Sequence, residues 1–159
     1  TAHEMTNRVD SGNYYGQRVI EIGPHETGFE LHNRAAMEID TLAREIVHKI
    51  ETGSLGIITP EAREESLYTS KTPYVNALDP ENQSCKKICD IVRALASPLT
   101  NAWYEAPDGR WTIESVNRVN DYLGNKITNL CNEGEFHAIG DNGEKFLIAT
   151  DGVLRVEIA

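Results

Sequence analysis

Three residues that together could perform nucleophilic catalysis follow one another along the chain: Cys85, His137 and Asp151. A thiol attacks as its thiolate, and the first turns of a helix lower a thiol's pKa. Cys85 lies shortly after Asp79-Pro80-Glu81, a segment with the cap chemistry of a helix start. His137 falls in the apolar run Phe136–Ile139, and Asp151 follows the next apolar run, Lys145–Ala149. An imidazole there could take the thiol proton, and a carboxylate on the neighbouring strand end could hold its tautomer.

The order of helix-borne cysteine, strand-borne histidine and an acid one strand later is similar to that of papain-like cysteine hydrolases. The resemblance extends over order and element type. It implies a hydrolase or deamidase with Cys85 as nucleophile, His137 as general base and Asp151 as orienter, and Gln83 as a candidate oxyanion donor. The same residues also suit plain packing: Cys85 and Cys89 as small apolar residues on a buried helical stripe, His137 as an interior histidine.

Other chemistries find less support. The chain has no HExxH, no paired CxxC and no EF-hand loop, so His25, His32, His137 and Asp141 read as scattered residues and no metal is expected. It has no GxGxxG and no GxxxxGK[ST], so no nucleotide and no cofactor is expected. Three cysteines, an odd count without regular spacing, suit reduced thiols and a cytoplasmic setting. The net charge of −10 argues against nucleic acid and against anionic membrane surfaces. No apolar run reaches the ~20 residues that span a bilayer, and Thr1–Asp10 lack an apolar signal core.

The elements that must position these residues are readable from period and punctuation. Residues 1–16 form a polar, mobile arm, and residues 17–159 a single α+β domain. Val19–Ile22 and Phe29–Leu31 read as strands around a turn-rich loop. Ala35, Ile39, Leu42, Ile46 and Ile50, widened by Ala36, Ala43 and Val47, mark a helix capped at Asn33 and stopped at Gly53. Thr59-Pro60-Glu61 opens a short helix, and Tyr68–Leu78 has no period. A second long helix starts at Asp79 and turns Cys85, Ile88, Cys89, Val92 and Leu95 inward until Pro98. Trp103 and Trp111 flank the Pro107-Asp108-Gly109 turn as arms of a short hairpin. Thr112 caps a third helix with Ile113, Val116, Val119, Leu123, Ile127 and Leu130 inward. Three apolar runs separated by Gly140–Gly143 and Thr150–Gly152 then form an antiparallel meander.

The fold expected is therefore α+β: an antiparallel sheet of four or five strands, the N-terminal strand beside the C-terminal meander, covered by two or three helices. The function adopted is association with a protein partner or with itself. Tyr14, Tyr15, Trp103, Tyr104 and Trp111 serve as loop-borne anchors, and Val153–Ile158 as an unpaired sheet edge. The cysteine hydrolase is one alternative. A small-ligand pocket between sheet and helices, with His137 as polar contact, is the other.

Overall fold

The computed structural model describes residues 1–8, 11–59 and 76–159. They fall into two compact units, Thr1–Pro24 with Glu30–Ser70 and His25–Phe29 with Lys71–Ala159.

In the first unit, β1 (Ala2–His3) and β2 (Tyr14–Gly16) pair as an antiparallel ribbon. Ile58 joins the ribbon by exchanging both backbone hydrogen bonds with Tyr14, at 2.8 and 2.9 Å. The helix α1 (Gly28–Glu51) runs for 24 residues. Gly53, at φ +66°, stops it in the left-handed conformation that only glycine adopts without strain. Leu42 is the residue of α1 that reaches full burial, and it does so against Gly16: a Cβ there would lie 2.8 Å from the Leu42 methyl. Arg18 ties the chain after β2 to Glu45 of the same helix.

Two expectations fail in this stretch. Phe29–Leu31 is the first turn of α1, not a strand, because Leu31 lies four residues before Ala35 and extends the helical period backwards. Asn33 is accordingly inside the helix. Val19–Ile22 is irregular backbone with Val19 almost fully exposed; four apolar-looking residues without a partner strand do not make a sheet. The short helix expected from Thr59 and most of the Tyr68–Leu78 segment lie outside the described residues.

The second unit holds the sheet. α2 (Cys85–Leu95) precedes β3 (Ala102–Ala106) and β4 (Gly109–Arg118); then come α3 (Asp121–Thr128), β5 (His137–Ile139), β6 (Lys145–Ala149) and β7 (Gly152–Ile158). The strands are all antiparallel in the order β3-β4-β7-β6-β5. The α+β class and the five-stranded antiparallel sheet agree with the sequence, as do the β5-β6-β7 meander and the β3-β4 hairpin with its two tryptophans. The sheet curls: Tyr104 on one edge strand and His137 on the other have ring centroids 5.9 Å apart.

The N-terminal strand does not join this sheet. Its place beside the meander is taken by β4, where the sequence suggested a third helix from Thr112. Here period two wins: Trp111 and Ile113 are both buried, with Thr112 between them on the other face. Thr112, Ile113 and Val116 are β-branched and fit a pleated surface. A bulge between Ile113 and Ser115 resets the alternation, and it is this irregularity that mimics a helical spacing. Pairing with β4 also makes β7 interior to the sheet, so Val153–Ile158 offers no free edge. Only the end of the expected third helix survives as α3, capped by Asn120, whose side chain accepts from the Leu123 N–H at 2.9 Å. Ile127 is buried beneath it, whereas Leu123 and Leu130 face water.

One core lies between α2 and the sheet, where Ile88 and Val92 meet Trp111, Ile113, Leu147 and Leu154. A smaller one lies under α3, from Ile127, Phe146 and Val153.

Candidate functional site

Position in the sequence placed Cys85 in the second turn of a helix opened by Asp79. It is instead the first residue of α2, because Ser84 provides the nearer cap: its hydroxyl accepts from the Lys87 N–H at 3.2 Å. Asp79 and Asn82 close a separate turn, with the Asp79 N–H donated to the side chain of Gln83 at 2.9 Å. Gln83 is thereby committed at both ends, since its carbonyl accepts from the Thr150 N–H at 3.1 Å.

That last bond belongs to a seam joining the start of α2 to the β6–β7 turn. Asp151 accepts from the Cys85 backbone N–H through Oδ1 at 2.6 Å. It thus caps α2 from a position 66 residues away in sequence. Arg118 reaches in from β4, donating to the Asp151 carbonyl at 2.8 Å and lying 3.9 Å from its carboxylate. A Cβ on Gly152 would stand 3.1 Å from the Arg118 guanidinium and 3.3 Å from the Cys85 sulfur, so glycine is what lets the turn approach this closely.

The electrostatics follow from that geometry. The Cys85 N–H, then the Cys85 thiol, hold the Asp151 carboxyl below its usual range. Burial first, and then the hydrogen bond and charge of Asp151, push the Cys85 thiol from an ordinary 9.0 up to about 11. Arg118 opposes this but does not overcome it. Burial also raises Cys89 and Cys131.

The His137 ring packs edge-on against Trp111 at 5.6 Å and tilted against Tyr104 at 5.9 Å. Among the described residues its buried Nδ1 has no hydrogen-bond partner, and no hydrogen bond or ring contact joins it to Cys85 or Asp151. It lines a cleft of about 230 Å³ with Ile127, Cys131, Glu135 and Phe146. The structure therefore brings Cys85 to Asp151 and His137 to Tyr104 and Trp111.

The aromatic anchors divide in the same way. Trp111 is 2% exposed and donates from Nε1 to Asp108 at 2.7 Å. Tyr104 is half-buried beside it, and Trp103 is half-buried under the Arg110 guanidinium at 4.0 Å. Tyr14 and Tyr15 are half-buried in the ribbon of the first unit. Sequence reasoning missed Arg118 altogether: a lone arginine in what looked like a helix gave no signal. It also missed a cleft of about 440 Å³ bordered by Arg118, Asn120, Asn125, Thr128, Asp151 and Gly152. Among the described residues no group of His, Cys, Asp and Glu is arranged to hold a metal ion, and no helix is long and apolar enough to cross a membrane.

No known family model matches the sequence. The fold does have counterparts among solved structures. An N-formyltransferase from Helicobacter canadensis, in complex with folinic acid and dTDP-3-aminofucose, matches with a TM-score of 0.69 at 13% identity, over 98% of this chain and 53% of that one. HypX from Aquifex aeolicus matches with a TM-score of 0.65 at 16% identity, over 97% of this chain and 26% of HypX. A candidate sugar N-formyltransferase from Mycobacterium tuberculosis matches with a TM-score of 0.62 at 24% identity, over 75% of this chain and 53% of that one. At these identities the likeness is one of fold. The chain spans about half the length of the formyltransferases and about a quarter of HypX.

Proposed function

We propose that this chain is a module of a formyltransferase-type enzyme, one that moves a formyl group from a folate nitrogen to the amine of a small acceptor. The observation that carries this reading is the match over 98% of the chain to an N-formyltransferase in complex with folinic acid and an amino sugar nucleotide. Such a transfer joins the acceptor nitrogen to the formyl carbon and breaks the bond to the donor nitrogen. The acceptor loses a proton and the donor nitrogen gains one. Because the chain spans only about half of those formyltransferases, the reading includes a further protein body for the chemistry.

The surroundings of Cys85 favour this over the hydrolase. A thiol held near 11 is almost wholly protonated at neutral pH and a poor nucleophile. Its carboxylate partner disfavours the thiolate, and the histidine that would activate it is engaged with two aromatic rings. Enzyme-like neighbours also fit poorly with a protein whose whole work is association.

The test is to purify the polypeptide that carries this chain from its own cells and assay formyl transfer from a formyl-folate to dTDP-3-aminofucose and to simple amino sugars. The 159-residue chain is assayed beside it. Transfer by the native polypeptide and none by the chain is the expected result. Transfer by the chain alone, or by neither on any amine, refutes the reading.

A further inference from the structure

The helix α1 carries two apolar stripes side by side. Leu31, Ala35, Leu42 and Ile46, with Glu38 among them, recur at helical spacing and are all buried or half-buried. The second stripe, Ala36, Ile39, Ala43, Val47 and Ile50, keeps the same spacing and is exposed throughout. Ile39, Val47 and Ile50 are 64%, 53% and 59% exposed. Together the apolar residues of the two stripes cover roughly 160° of the helix, wider than one contact face needs. Single apolar residues scattered on a surface require no explanation, whereas a continuous one does. At 1.5 Å per residue the bare stripe is about 21 Å long. Its alanines allow close approach, and the Asp40–Arg44 ion pair, at 2.9 Å, forms part of a polar border along one side.

We infer that this stripe is a docking face, and that its occupant is the second body of a formyltransferase-type enzyme. The inference rests on the functional reading above. Two observations choose the occupant. The formyltransferase and HypX chains that cover nearly all of this one carry about half and about three-quarters of their own length beyond the matched part. A second copy would instead bring a net charge of −10 against the same charge, which opposes self-pairing.

The experiment places a photo-reactive phenylalanine analogue at position 39 of the polypeptide as its own cells express it, and identifies the cross-linked peptide by mass spectrometry. A cross-link to a formyl-transferring body, in the same polypeptide or a separate subunit, is the expected result. Val47→Glu should then lower its yield about tenfold, the worth of burying one such side chain. The thermal midpoint of the isolated chain should stay put, since position 47 is exposed there. A cross-link to a second copy of α1 overturns the occupant, quenching by water with no cross-link overturns the docking face, and both leave the formyl-transfer assay unaffected. A cross-link to a body without formyl-transfer activity overturns both the occupant and the functional reading.

Discussion

The reactivity of Cys85 separates the structural account of the α2 seam from the catalytic one. Raising a thiol from 9.0 to about 11 lowers its thiolate fraction at pH 8 about a hundredfold, from roughly one in ten to roughly one in a thousand. Burial at 2% exposure slows alkylation further, because the reagent must wait for local opening. With Cys89→Ser and Cys131→Ser in place, Cys85 is the remaining thiol, and iodoacetamide labelling at pH 8 can be followed by mass. The folded chain should react at least about a hundredfold more slowly than the chain in guanidinium. Asp151→Asn should speed the folded-state reaction: the amide oxygen still accepts the Cys85 N–H, while the charge that opposes the thiolate is gone. His137→Ala should leave the rate unchanged, since the imidazole contacts Tyr104 and Trp111. Labelling as fast as in the unfolded chain, or slowed by His137→Ala, would refute this reasoning and restore Cys85 as a nucleophile.

Asp151 should also mark the acid side of stability. Its carboxyl is held down by the Cys85 N–H, so the stabilisation is present above the unfolded carboxylate value of about 3.9 and is lost as pH falls through the lower folded value. The stability gap between the native chain and Asp151→Asn, read by urea titration, should therefore narrow below about pH 4. A gap that stays constant down to pH 2 would contradict the cap. Ile88→Ala empties the centre of the larger core and should cost about 2–5 kcal/mol, lowering Tm by about 5–15 °C. Gly124→Ala should work the other way, adding about 0.5–1 kcal/mol by denaturant titration. The new Cβ would sit at an ordinary 3.7 Å from Val119 and Val153, inside a helix that glycine weakens.

The sequence by itself determined the elements whose pattern is local. Gly140–Gly143 and Thr150–Gly152 punctuate the meander, and Gly143 and Gly152 adopt the positive φ that such turns require. Cys85, Ile88 and Val92 mark the buried face of α2 because three- and four-residue steps return to one side of a helix. Gly53 ends α1 for the same kind of reason. Segments 109–118 and 28–31 had to be decided by their neighbours. Thr112–Val119 holds apolar residues at spacings that suit a strand with a bulge as well as a helix, and it becomes β4 because β7 needs a second partner. Phe29–Leu31 continues α1 because the helical ladder is already in place behind it. The second apolar stripe of that helix is exposed: periodicity reports amphipathicity and not what covers it. The site followed the same division. Residue type nominated Cys85, His137 and Asp151, but only the folded chain could show which of them meet. Cys85 and Asp151 touch because the β6–β7 turn closes on the start of α2, and the His137 ring meets Tyr104 and Trp111 because the curl of the sheet brings its strand to them.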